Sequence, residues 1–165
     1  MQRPKRIPPG PGQESVWDYP RPPACEPVAE RLRIVFGDQQ IAATNRGYRV
    51  LETSHPPVYY LPPDAFVAGS LLPASGRSFC EFKGEAIYWD VVAGDRRAAK
   101  AAWSYPEPVA RYAELGDHVA VYASRMDQCW VGDERVLPQS GDFYGGWITA
   151  DIVGPFKGGD GTWGW

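Results

Sequence analysis

Close-spaced cysteine pairs are missing from this chain. Its three cysteines, Cys25, Cys80 and Cys129, lie far apart, and the histidines are limited to His55 and His118. A structural zinc centre needs four ligands, usually in close-spaced pairs, so no metal and no other cofactor is expected. The thiols are expected to be reduced, as in a cytoplasmic protein. Also absent is any apolar run near the roughly 20 residues that span a bilayer. The opening residues MQRPKRIPPG carry charge but lack the apolar segment of a secretory signal. A cytoplasmic location is therefore expected, with no membrane partner. Nor is there an excess of basic charge. The net charge of −3 offers no attraction to nucleic acid.

What the chain does have is turn formers and rings: Gly 18, Pro 17 and aromatics at 13%, including Trp 7. Many turns and few long uninterrupted runs predict a mainly β architecture over a helical bundle. At 165 residues the chain suits one domain plus a tail. Residues 1–30 read as a proline-rich arm, whose prolines favour extended conformations. Trp17 and Tyr19 are placed to pin part of it to the domain, and its removal is expected to leave stability intact. The domain spans 31–165. In it Leu32, Ile34 and Phe36 alternate with Arg31, Arg33 and Val35 as a half-buried strand. Gly37-Asp38, Gly94-Asp95 and Gly132-Asp133 are hairpin signals. Pro108 to Leu115, followed by Gly116, is the best helix candidate. The tail from Gly141 is too apolar for disorder and is expected to pack back through Phe143, Tyr144, Trp147, Ile152 and Phe156.

The stretch Ser78 to Pro108, SFCEFKGEAIYWDVVAGDRRAAKAAWSYPEP, gathers most of the chemistry. Glu85 to Val92 puts Ile87, Trp89 and Val91 on one face and Ala86, Tyr88 and Asp90 on the other, so both faces are expected to be covered. The state of the short Ala98–Ala102 run is left open.

The runs SHPPVYYLP (Ser54 to Pro62), FCEFKGEAIYWDV (Phe79 to Val91), AAWSYPEP (Ala101 to Pro108) and FYGGWITADIVGPFKGG (Phe143 to Gly159) resemble the domain-of-unknown-function 427 family. The resemblance covers roughly Arg31 to Trp165. It implies a small antiparallel two-sheet β-tent-like domain with one or two short helices. Relatives of that shape hold zinc through paired cysteines, which this chain lacks. A nucleotidyltransferase-like label attached to the family implies a Gly-Ser turn followed by two close acidic residues. Gly69-Ser70 is followed by no Asp-x-Asp.

Three functional classes remain. The leading one is a small-molecule binding domain with an aromatic-lined pocket built from Tyr60, Trp89, Trp103 and Tyr105, with His55, Lys83 and Glu107 as polar contacts. The same rings could instead fill the wedge between sheets. The second is an enzyme at the same place, using Cys80 as nucleophile or a carboxylate such as Glu107 as general acid. A reactive thiol wants a nearby cation, and strict strand alternation puts Lys83 on the face opposite Cys80. The third is a protein-interaction module engaged through the N-terminal arm. The run GPFKGGDGT has a phosphate-loop composition, but Lys157 precedes the glycines and the P-loop order is absent.

Overall fold

The computed structural model describes residues 4–141 and 143–165. Its strands are β1 (Glu14–Ser15), β2 (Ala24–Pro27), β3 (Leu32–Phe36), β4 (Gln39–Thr44), β5 (Tyr48–Leu51) and β6 (Val58–Tyr60). Next come β7 (Leu71–Cys80), β8 (Gly84–Ala93), β9 (Arg96–Ser104), β10 (Val119–Val121) and β11 (Gln128–Val131). Four two-residue strands complete the set: β12 (Glu134–Arg135), β13 (Leu137–Pro138), β14 (Trp147–Ile148) and β15 (Ile152–Val153). The architecture is mainly β, as the turn-rich composition predicts.

Two four-stranded antiparallel sheets, in the orders β10-β9-β8-β7 and β12-β11-β3-β4, carry most of the domain. A three-stranded antiparallel sheet, β2-β5-β6, joins the first of them where Leu61 and Val119 exchange backbone hydrogen bonds of 2.9 and 2.7 Å. Small pairs β13-β14 and β1-β15 tie the C-terminal segment down, the latter in parallel. Each anticipated hairpin forms. Gly37 and Asp38, both at φ 61, supply the two left-handed positions of a type I′ turn between β3 and β4.

Buried side chains form three clusters, a small one of Val16, Tyr19, Leu51 and Ile152 and two larger ones that side-chain alternation separates. Leu32, Ile34 and Phe36 of β3 meet Val91, Ala101, Ala102, Val119, Val121 and Trp147 in the larger one. Ala120, between Val119 and Val121, faces the second, which holds Val50, Tyr60, Trp103, Tyr105, Tyr112 and Leu115. The β8 strand is covered on both faces as expected: Val91 and Trp89 pack on the larger cluster, Ala86 and Tyr88 on the aromatic one. The alanine-rich run left open is strand β9, whose small buried side chains let the larger cluster close around it.

Three expectations are corrected. Pro108 to Leu115 does not form an α-helix. Only a 3₁₀ segment, Ala110–Leu115, appears, broken at Tyr112 (φ −116, ψ 28). That ring is drawn into the aromatic cluster, and its hydroxyl donates 2.7 Å to the Pro23 carbonyl, so tertiary packing overrides a short helix signal. The N-terminal stretch is woven into the fold rather than appended. Val16 is fully buried, Tyr19 nearly so, and β2 pairs with β5 over four residues. Arg49 on β5 clamps it through Glu14 at 2.7 Å and Glu26 at 2.6 Å. Trp17 donates to the Pro155 carbonyl at 2.9 Å, the pinning its sequence position suggests. In the C-terminal tail Trp147 and Ile152 are buried as expected, whereas Phe143 is 75% exposed. Among the described residues no helix is long and apolar enough to cross a membrane.

Candidate functional site

The aromatic cluster borders a cavity of about 350 Å³. Four stretches build most of its walls: β5 and β6 with the loop between them, the end of β7 with the turn after it, the face of β8 and β9 that carries Tyr88 and Trp103, and the loop around Tyr144. Cross-strand register explains which rings gather. Tyr88 lies directly opposite Trp103, so the two share a face of the sheet. Tyr60 meets Trp103 edge-on at 6.5 Å and Tyr105 at 6.4 Å, while Tyr122 tilts against Trp103 at 4.6 Å. Burial pushes the Tyr60 and Tyr105 hydroxyls above their ordinary range, so both are neutral donors at physiological pH.

Of the residues singled out in the sequence, His55, Tyr60, Cys80, Lys83, Trp103 and Tyr105 line this cavity. Trp89 does not. It pairs with Ala102 on the reverse face, packs on the larger cluster and donates 2.9 Å to Ser104. Glu107 is exposed and outside the lining. The carboxylates that do line the cavity are Glu81, which lies in the Ser78 to Pro108 stretch, and Glu52, which sequence reasoning did not bring to the site. Glu52 lies three residues before His55, and its carbonyl accepts the His55 backbone N–H at 3.0 Å; that tight turn is the signal that could have found it.

Lys83 and Cys80 do not point apart. The strand ends at Cys80, and Glu81, Phe82 and Lys83 form the turn into β8, so alternation no longer applies. The reversal carries the Lys83 ammonium back to 3.2 Å from the Cys80 sulfur and 5.6 Å from the centre of the Tyr105 ring. Lys83 is only 8% exposed, and its carbonyl accepts the Val109 N–H at 3.0 Å, which anchors the turn. Burial opposes its charge, but Tyr60 and Cys80, when ionised, outweigh burial and leave its pKa above the ordinary value.

His55 is held in one tautomer. Gln139 accepts the Gly146 N–H through Oε1 at 3.0 Å, which fixes its amide orientation. Its Nε2 then donates to the Lys157 carbonyl at 2.7 Å and to His55 Nδ1 at 3.1 Å. With Nδ1 accepting, the ring proton resides on Nε2. Burial, reinforced by Lys157, Arg21 and Lys83, lowers the His55 pKa to about 4, so its 3.8 Å approach to Glu52 is not an ion pair at neutral pH. Glu52 is instead bound to Arg21 at 3.1 Å. The rim carries two apolar rings beside the exposed Glu81: Phe79 and Phe143 are 78% and 75% exposed at its edge.

The other cysteines have different surroundings. Cys129 is buried in the larger cluster, and burial pushes its thiol well up. Cys25 packs on the aromatic cluster, and burial with a Glu114 contact raises it to about 12. Among the described residues, no three histidine, cysteine or acidic side chains gather as metal ligands.

No curated protein matches the chain. A family model does match, over residues 24–132, and this stretch contains β2 through β11, the Cys80–Lys83 turn and the ring-bearing strands of the cavity. The chain belongs to the DUF427 family, a domain of unknown function.

Proposed function

We propose that the cavity binds a small molecule against the aromatic wall of Trp103 and Tyr105. The observation that carries this reading is a buried ammonium, Lys83, facing the same cavity of about 350 Å³ as those rings. That volume falls within the range of small-molecule sites, and a few fixed polar groups in an apolar lining are their usual composition. The exposed Phe79 and Phe143 extend the apolar surface to the mouth. The test is intrinsic fluorescence against a metabolite library. A ligand should give a saturable change that Trp103→Phe removes while the other tryptophans keep their emission. Silence across the library, or an undiminished response in Trp103→Phe, would overturn the reading.

One observation favours a second reading, catalysis by Cys80. The Lys83 ammonium donates to the Cys80 sulfur at 3.2 Å, and a cation beside the sulfur is the arrangement of nucleophilic cysteines. The half-buried Cys80 lines the cavity, so an electrophilic ligand would meet it there. In the folded protein, Cys80 should react with iodoacetamide at neutral pH well before Cys129, and Lys83→Met should slow it. Equal rates at the two cysteines would remove the thiol mechanism. Glu107, exposed outside the cavity, has no part in either reading.

A further inference from the structure

We infer that the ligand of this cavity is a planar monoanion, an aromatic or conjugated carboxylate, with its acid group on Lys83 and His55 and its flat body against Trp103. The inference rests on the pocket reading above and adds the charge and shape of the occupant.

Lys83 carries the argument. A buried ammonium loses several kcal/mol of hydration unless an anion replaces it. Among the described residues no carboxylate lies in ion-pair reach of Lys83; its near neighbours are the Cys80 sulfur and the Tyr105 ring face. The two carboxylates of the lining are otherwise placed. Glu52 is bound to Arg21, and Glu81 is exposed at the edge. His55 adds a neutral donor. Gln139 occupies Nδ1, and the proton on Nε2 finds no acceptor at hydrogen-bonding distance, since Glu52 stands 3.8 Å away.

The lining thus offers one buried cation, the neutral His55 N–H and the Tyr60 and Tyr105 hydroxyls beside aromatic faces; its second lysine, the part-buried Lys157, donates at 3.2 Å to the Trp165 carbonyl and stands over the Tyr144 ring. That matches a single negative charge on a flat group with two acceptor oxygens, which is a carboxylate. A phosphate, with greater charge and three acceptor oxygens, would call for more cations or a run of backbone N–H donors. An organic cation is disfavoured, because Lys83 already stands over the Tyr105 face that would hold it.

The experiment compares cinnamate, cinnamamide and cinnamylamine by titration calorimetry at pH 7.5 with the full chain. These share one planar body and differ in charge. Cinnamate should bind about 30-fold or more tightly than the amide, the loss typical of removing one partner of a buried charge pair. The amine should not bind. Lys83→Met should bring cinnamate to the level of the amide, and it replaces a buried cation by an apolar chain of similar length, so the fold is expected to persist. The wild-type comparison stands without the variant. Equal binding of acid and amide, or binding of the amine, overturns the anion assignment while leaving a pocket. Failure of all three to bind also overturns it, whereas the pocket reading fails separately, by silence in the fluorescence library.

Discussion

Lowering the pH from 7.5 to 5 should cost this protein about 2 kcal/mol of stability through His55 alone. In the unfolded chain the imidazole takes a proton near its ordinary 6.5; in the folded protein burial holds it neutral down to about 4. Between those values the unfolded state binds more protons, so stability falls as pH falls. The loss begins near 6.5 and is complete just below about 4, where both states are protonated. A displacement of this size corresponds to about 3 kcal/mol in full, of which about 2 kcal/mol develops by pH 5.

Asp90 and Asp127 titrate outside that window. Asp90 is held below its ordinary 3.8 by the Lys100 N–H and Arg97, and Asp127 by Arg96, so what they contribute is lost only at lower pH. The assay is urea unfolding at several pH values across the window, for the wild type and His55→Gln. Glutamine can still accept from Gln139 Nε2 but does not titrate. With a slope of about 2 kcal/mol per molar urea, the wild-type midpoint should fall by about 1 M more than the variant's between pH 7.5 and 5. Parallel pH profiles would refute the neutral, buried state of His55.

Two further perturbations probe the walls and the N-terminal segment. A methyl on Gly145 would stand 2.2 Å from Cη2 of Trp103, a rigid ring held by Tyr60 and Tyr122. Gly145→Ala should therefore cost about 1–3 kcal/mol in urea unfolding and shift the tryptophan emission; an unchanged midpoint would show that the loop does not press on the indole. Deleting residues 1–27 removes buried Val16 and Tyr19, strand β2 and both carboxylate partners of Arg49. The two side chains alone imply a loss of about 3 kcal/mol or more, and retention of the full-length urea midpoint would contradict the packing described.

Local signals predicted most of the fold because turns and alternation are local. The Gly-Asp turns define their hairpins, and Leu32, Ile34 and Phe36 all face the core. Long-range partners were not legible. Ala24 to Pro27 lacks a strand signature because of its proline, and it becomes a strand only because β5 presents a partner edge. The same holds for Ala110–Leu115, where a hydroxyl reaching Pro23 across the fold outweighs the local helix tendency.

The site was legible to the extent that parity could be read correctly. Trp89 and Tyr88 are adjacent, so at most one of them can face Trp103; the register Tyr88 to Trp103 decides for the tyrosine. No local rule fixes that register, because the β8–β9 pairing slips at a bulge between Trp89 and Val91. Cys80 and Lys83 show the opposite failure. Strand alternation read through to Lys83 runs three residues past the strand, across a turn that folds the lysine back over the cysteine. Had β7 continued through Lys83, the ammonium would have stood on the other face, away from the thiol. The end of one strand therefore decides whether the cavity holds a buried cation, and with it both the thiol chemistry and the anion preference argued for the site.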